Sequence, residues 1–461
     1  MKSALAAGAF PLLPGCFSSK GYFANSKVRL ACCGVGGMGG NDINSLFDTG
    51  LCEIVALCDT DLGNEATAAN LKKFPKAAHF HDFREMFDEM GDGFDAGTAG
   101  VPDHAHFPIV MRAIKEGKGV YTEKPMGHTF AEIQVMIDAE RKYGAVCQMG
   151  NQGHSRESRF QMRDYVASGV IDPNKVTRIV THMNAARRWH KWNGKVSFFP
   201  KAMPLPETMS AHDWDTWLGT CGWHEHSTDF THGEWRSWFD FGNGALGDWG
   251  AHVFDGIHEY FDLGLPCEIG IRNVTGWNKF VFPMQNTLDF RFPAKGGRKA
   301  LTIEWWEGVA NRPDLPKGFA YKGWDGSIPK SGNQSYDDAK TKDLRPGKEI
   351  YMADGVVWQG CSHADPMFRV GQTDKESPAY TAPIEDHYAN FLRAVKGETV
   401  TNSPFHVAGP LSQVFTLGCI AQRLNRSIKF DPIGKQIVGD AEANAMLSPV
   451  PRKGWEEYYK V

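Results

Sequence analysis

"RLACCGVGGMGG", residues 29–40, runs a strand-forming apolar segment straight into a glycine cluster. Val28 to Cys33 read as a buried strand, and Gly34, Gly36 and Gly39 follow in the spacing G-x-G-x-x-G, with Gly37 and Met38 completing the loop. A helix is predicted from Met38 to Phe47. Strand, glycines and helix in that order are what a dinucleotide fingerprint requires. Gly34 permits the sharp turn, Gly36 lets the backbone approach a pyrophosphate, and Gly39 lets the helix pack closely on the strand. Phosphate charge then meets a helix N-terminus. A glycine turn of purely structural purpose would contain the same residues. "EIVALCDTD", residues 53–61, weighs against that alternative, because a second strand ends in Asp59. A carboxylate about 20 residues past the last glycine can hold a ribose diol. No Arg or Lys stands near Asp59 to receive a 2′-phosphate, which favours NAD over NADP.

Outward from this junction, strands alternate with helices from Lys27 to about Gly150. "FDAGTAGV" (94–101) precedes a helix from His104 to Glu116, and "GVYTEKP" (119–125) precedes one from Thr129 to Tyr143, which leads to "AVCQMG" (145–150). Such alternation predicts a parallel sheet with helices on both faces. Beyond residue 175 the pattern changes. "KVTRIVTHMNA" (175–185), "EIGIRNVTGW" (268–277), "NTLDFRF" (286–292) and "KALTIEWWE" (299–307) are strand-like and suit an open, mainly antiparallel sheet. A helix is predicted over "GALGDWGAHVFDGIHEYFDLG" (244–264), and two more from Ile384 to Val395 and from Val407 to Leu424. Asp314 to Glu349, rich in Gly, Pro, Ser, Lys and Asp, reads as an extended surface loop. The expected architecture is an α/β dinucleotide-binding domain over 27–150 and an α+β domain over 151–461, with helices from 384–425 packing back.

A chain of 461 residues is long enough for two or three domains. Its formal charge of −4 includes no basic block, which argues against a nucleic-acid partner held through phosphates. No apolar run is long enough to cross a bilayer. Residues 1–26 stand apart. "MKSALAAGAFPLLPGCF" resembles a bacterial lipoprotein signal with Cys16 as the acylated residue, or the tail of a twin-arginine signal whose Arg pair lies upstream. Export to the periplasm or anchoring at the envelope is expected. The alternative is a disordered tail on a cytoplasmic protein. The ten cysteines contain no C-x-x-C pair, so neither a zinc ribbon nor a disulfide framework is signalled, and Cys32, Cys33, Cys58 and Cys147 read as buried small hydrophobes.

"YTEKPMG" (121–127) places Glu123-Lys124-Pro125 at the C-terminal end of a predicted strand, the edge at which open α/β sheets bind ligands. Asp248 and His252, four residues apart, share one helix face, and Asp255 and Glu259 continue that stripe. With "GVGGMG", "CDTD" and "VPDHAH" (101–106), these segments resemble the Gfo/Idh/MocA oxidoreductases, which include glucose–fructose oxidoreductase and inositol dehydrogenase. The likeness runs from about Lys27 to Pro432. It implies that Lys124 reaches both the nicotinamide side of the cofactor and the reacting hydroxyl. It also implies that His252 is the general base and Asp248 its neighbour contacting substrate. Pro102, Asp103 and His104 resemble the segment beside the cofactor, where the family often has Asn at the position of Asp103, and Glu123 belongs to the same edge. An ammonium at Lys124 would stabilise charge building on a sugar oxygen, and an imidazole suits proton transfer at neutral pH.

Other residues suggest the substrate. "RRWHKWNG" (187–194), "HDWDTWLG" (212–219) and "GEWRSWFDFG" (233–242) set Trp beside His, Asp and Arg, which suits a sugar ring with apolar faces and a polar rim. Arg187, Trp189, Trp192, Trp235 and Arg236 are the candidates for substrate contact, although core packing claims many of these Trp residues. His154 in "NQGHS" (151–155) either borders the pocket or merely starts a helix. His224, His226 and His232, with Asp229, have spacing compatible with a metal, but the family does not generally require one and none is expected. The expected activity is hydride transfer between a sugar, glycoside or polyol carbinol and a tightly bound nicotinamide cofactor, in a homo-oligomer. Two alternatives remain: an NAD-dependent glycoside hydrolase working by transient ring oxidation, and a non-catalytic sugar- or NAD-binding protein.

Overall fold

Val28–Cys33 (β1) lies at the centre of a six-stranded sheet with β2 (Cys52–Cys58), β3 (Ala78–Phe80), β4 (Ala96–Ala99), β5 (Gly119–Thr122) and β6 (Cys147–Met149). The computed structural model describes residues 26–184, 196–308, 310–314, 346–361, 368–370 and 380–461. Every pairing in this sheet is parallel, in the order β3-β2-β1-β4-β5-β6. The strands are nearly continuous apolar runs because the sheet is covered on both faces. The crossover helices are α1 (Gly37–Asp48), α2 (Glu65–Lys73), α3 (Phe83–Met90), α4 (His106–Lys115) and α5 (Phe130–Tyr143). Local chemistry sets their ends: Thr129 and Glu132 form a capping box at the start of α5, and Gly144 takes the left-handed conformation at its end. The strand order reverses between β1 and β4, which puts the ligand crevice at their C-terminal ends.

The second sheet has nine strands in the order β13-β12-β11-β7-β10-β9-β8-β14-β15. They are β7 (Val176–Met183), β8 (Glu268–Thr275), β9 (Gln285–Phe292), β10 (Leu301–Glu307), β11 (Gly347–Met352), β12 (Val357–Cys361), β13 (Phe368–Val370), β14 (Ile428–Asp431) and β15 (Gln436–Ile437). It is antiparallel except where β7 runs parallel to β10. The expected surface loop over Asp314–Glu349 needs correction at its end. Gly347 to Glu349 open β11, and Glu349 is fully buried 3.1 Å from His182 Nε2. A charged residue reads as exposed in a sequence, and only the partner across the strands shows how its burial is satisfied. Residues 315–345 lie outside the described residues.

The remaining helices are α6 (Glu157–Ala167), α7 (Ala211–Leu218), α8 (Gly244–Val253), α9 (Asp255–Tyr260), α10 (His387–Val395), α11 (Phe405–Leu424) and α12 (Ala441–Ala445). The single helix expected over 244–264 is two segments meeting at Phe254, and its apolar face of Val253, Ile257 and Phe261 is buried. The C-terminal helices do pack back. α11 lies against α5, α8 and β8, and α10 against α1, where Tyr388 donates its hydroxyl to Asp42 Oδ1 at 2.9 Å. Cys32, Cys33, Cys58 and Cys147 are buried, as expected. Cys16 lies outside the described residues. Among the described residues no helix is long and apolar enough to cross a membrane.

Candidate active site

Gly34 turns the chain out of β1 at φ +85, and a Cβ there would come 2.3 Å from Gly100 O. A Cβ on Gly39 would meet Gly34 O at 2.4 Å and Gly100 O at 2.5 Å. Backbone therefore packs on backbone where β1, α1 and the end of β4 converge, and only glycine fits. Gly37, at φ +54, has nothing within 4 Å of its Cβ direction, and α1 begins with neither a side-chain cap nor an acid in its first turn. Its first N–H groups are free to meet an anion. Asp59, at the end of β2, accepts hydrogen bonds from Val35 N at 2.9 Å and Asp61 N at 3.1 Å. Burial raises its carboxyl pKa despite these bonds. Gly34, Gly36, Gly37, Met38 and Asp59 line a cleft of about 810 Å³, with Gly39 packed beneath it. These features fit a dinucleotide: an open helix start for phosphates and a fixed carboxylate for a ribose.

The same cleft is also lined by Glu123, Lys124, Trp235, Arg236, Asp248 and His252. Lys124, following β5, reaches α8, and its Nζ lies 2.5 Å from Asp248 Oδ1 with both side chains nearly buried. Burial works against the ammonium, but the carboxylates of Asp248 and Glu123 outweigh it and hold Lys124 above the ordinary lysine range. His252 stands one helical turn from Asp248, its ring 5.8 Å from that of Trp249 in an edge contact. Glu123 sits behind Lys124. It accepts from Gln152 Nε2 at 2.9 Å, and burial raises its pKa. Arg236 lies 4.1 Å over the Trp235 ring.

Asp103 joins this set. It accepts from Asn243 N at 2.9 Å, and burial pushes its carboxyl up to about 7, against the pull of Arg236. Gln152 and Trp249 also line the cleft. Neither carries a sequence signal beyond its neighbourhood to a singled-out residue.

Pro102 lines the cleft, but His104 does not. Its imidazole is fully buried, with ring nitrogens 3.2 Å from Phe241 O and 2.7 Å from Trp217 O, and burial lowers its pKa to about 3. Of this turn, Pro102, Asp103 and Ala105 line the cleft. His154 is likewise turned inward. Its Nδ1 lies 2.8 Å from Asp255 Oδ1, and the neighbouring His154 and Arg159 hold Asp255 below the ordinary carboxylate range despite burial. The Asp248–Glu259 stripe is thus divided, with Asp248 and His252 facing the cleft and Asp255 facing His154. Arg187, Trp189 and Trp192 lie outside the described residues.

His224, His226 and His232 do not converge. His224 pairs with Asp240 at 3.0 Å, His226 lies 3.2 Å from Met203 O, and His232 lies 2.9 Å from Asn64 Nδ2. Ligand atoms of His154, Asp255 and Glu259 do lie within 4.8 Å of one another. There, however, Arg159 already sets its guanidinium 2.6 Å from the Glu259 carboxylate.

Comparison with known proteins gives the lineage. Residues 28–151 match the Gfo/Idh/MocA model described as an oxidoreductase family with an NAD-binding Rossmann fold. Residues 158–265 match the family's C-terminal alpha/beta domain. An inositol 2-dehydrogenase/D-chiro-inositol 3-dehydrogenase from Lactiplantibacillus plantarum is 27% identical over 146 residues, which is 31% of this chain and 41% of that protein. A glycosyl hydrolase family 109 protein from Saccharopolyspora erythraea is 25% identical over 148 residues, 31% of this chain and 32% of that protein. The chain thus spans under half the length of these relatives. In fold it resembles the WlbA dehydrogenase of Bordetella pertussis, solved with NADH and UDP-GlcNAcA, at a TM-score of 0.58, 13% identity, and 88% and 99% coverage of the two chains. Matches to both family domains, in sequence order and together over half of the chain, make this chain a member of the Gfo/Idh/MocA oxidoreductase family.

Proposed function

We propose that the chain transfers a hydride between a ring carbinol of a sugar, glycoside or polyol and NAD held in the cleft. One observation carries this reading: the Lys124–Asp248 pair and His252 line the same cleft as the glycine turn and Asp59. NAD supplies the hydride acceptor, or its reduced form the donor in the reverse direction. The backbone from Gly36 to Met38 meets the phosphates, and Asp59 holds the ribose diol. Lys124, kept as an ammonium by Asp248, donates to the carbinol oxygen and stabilises the negative charge that builds as the hydroxyl proton leaves. His252 takes that proton and returns it in reduction. Asp248 fixes Lys124 Nζ. Arg236, stacked on the buried Trp235, offers a polar edge to a sugar ring.

Similarity to a family 109 glycosyl hydrolase favours a second reading on the same residues. Oxidation of the ring carbinol acidifies the neighbouring C–H. Loss of that proton expels the aglycone, which leaves with a proton as its alcohol, water adds across the new double bond, and the stored hydride returns to the carbonyl. The net change is hydrolysis with no change in NAD. The oxidoreductase reading ranks first.

We also infer export to the periplasm or envelope, supported by the signal-like residues 2–16 with Cys16, and a homo-oligomer, supported by the family's habit of using its open sheet as an interface. Export would favour a cofactor that is recycled in place.

The test uses purified protein without added cofactor, a panel of free sugars and chromogenic glycosides, and simultaneous readings of reduced-nicotinamide absorbance and released aglycone. Reduction without release supports the oxidoreductase, and sustained release without net reduction supports the hydrolase. Lys124→Ala should lower turnover in either case by about 10²-fold or more while sparing NAD binding. Full activity in that variant would refute the assignment.

A further inference from the structure

The cleft has a wall that its glycine turn and its catalytic cluster do not explain. Beyond Asp59 the first domain continues through Asp61, Gly63 and Asn64 to α2, and Pro206, Met209 and His232 of the second domain line the same cavity. These two edges are tied together. Thr208 Oγ1 donates to Asp61 Oδ1 at 2.6 Å, and Asp61 N in turn donates to Asp59, the carboxylate placed for the ribose. Asn64 Nδ2 lies 2.9 Å from His232 Nδ1. Between the two ties, Thr208 presses on bare glycine backbone: a Cβ on Gly63 would stand 2.0 Å from Thr208 Cγ2 and 2.6 Å from Thr208 Cβ.

The segment that carries Thr208 is itself held. Met203 N donates to His226 O at 2.7 Å, Met209 is buried in a cluster with Trp214 and Phe230, and Ser210 caps α7 through a box with Asp213. On the opposite edge Asn64 caps α2 by accepting from Ala66 N at 2.9 Å. Neither edge can swing away without losing its own anchors. Surface contacts of this kind contribute little singly, so the two hydrogen bonds and the close approach of Thr208 to Gly63 hold the edges together only in combination.

We propose that residues 203–210 and 226–233 form the outer wall of the dinucleotide site, clasped across its ribose end by Thr208 on Gly63 and Asp61 and by His232 on Asn64. The dinucleotide leaves only when this clasp opens, so one molecule serves many turnovers. The proposal rests on the cleft being the NAD site and deepens that reading.

Gly63→Ala is the selective probe, because Gly63 lacks a left-handed φ and the atoms nearest the added methyl all belong to Thr208. The full chain is loaded with NADH, and its loss of fluorescence is followed after a chase with excess NAD. Wild type should hold NADH through gel filtration. Gly63→Ala should release it about tenfold faster or more, the scale at which overpacking is felt, with an apo melting temperature lowered by no more than about a few degrees. Should that variant fold poorly, His232→Ala removes the second tie by truncation and should speed release about threefold, a weaker surface contact being lost. Wild-type release on the time scale of turnover, or equal release rates in wild type and variants, would overturn the clasp alone. Failure of the wild-type chain to bind NADH at all would overturn the cofactor reading and the clasp with it.

Discussion

Asp103 and Asp248 are acids of one cleft, the first buried and the second nearly so, and their surroundings differ. Asp248 has the Lys124 ammonium at 2.5 Å, whereas Asp103 has the backbone N–H and side-chain amide of Asn243 and the more distant charge of Arg236. Burial therefore dominates at Asp103 and moves its pKa from 3.8 to about 7. A carboxyl raised on folding makes the folded state bind more protons than the unfolded state between those two values. Stability then falls as pH rises through the window from 3.8 to about 7. Asp103→Asn keeps an oxygen to accept from Asn243 N and removes the charge. Its melting temperature should exceed that of wild type above the window and match it more closely below, so that the wild-type slope is flattened. Identical slopes from thermal melts across this range would show that Asp103 stays ionised in the folded protein. The residue was legible in the sequence only as a departure, an acid where relatives often carry Asn. Its altered proton affinity depends on burial, which no local pattern encodes.

The β1-turn-α1 unit shows what local pattern does encode. Its glycines are set by backbone contact within one short segment and against the end of β4, so spacing alone revealed them. Gly39→Ala would push a methyl into two carbonyl oxygens, at 2.4 and 2.5 Å. Neither neighbour is a flexible side chain, so α1 must lift from the sheet. The expected cost is about 1–3 kcal/mol with loss of NAD affinity, read from denaturant midpoints and NADH titration. A variant with wild-type stability and affinity would mean that α1 need not lie this close. The Glu123-Lys124 edge and the Asp248/His252 helix face were readable for the same reason, since strand ends and four-residue spacing are local. His104 and His154 were not. Whether a histidine in a short turn faces the cleft or the core depends on Trp217, 113 positions away, and on Asp255, 101 positions away. Thr208 carries no motif at all, and its importance comes from the glycine it rests on.

At the scale of the whole molecule, distant helices pack back across the boundary that the sequence suggests at residue 150, as expected for 384–425. Phe391 and Leu392 of α10 complete the apolar layer formed by Val28, Leu30 and Tyr121, and Trp455 and Tyr458 close over Phe83 with ring centroids 6.2 and 6.1 Å away. Polar ties run the same way. Met149 N donates to Ser403 O at 2.9 Å, and Tyr459 donates to Glu132 at 2.8 Å. Alternation of strands and helices could be read along the chain, but the return of distant helices onto the first sheet gives no periodic signal of where they land. The energetic consequence is large. Each such buried side chain is worth about 1.5–3 kcal/mol, and a domain of this size has a net stability of only about 5–15 kcal/mol. Removing four or five of them consumes most or all of that margin. Residues 27–150 expressed alone should therefore show no cooperative calorimetric transition and no NADH binding, while the full chain melts as one unit and shifts upward with NADH. An isolated 27–150 fragment that melts cooperatively and binds NADH would mean that the first sheet is self-sufficient, and that the C-terminal helices cover it without holding it together.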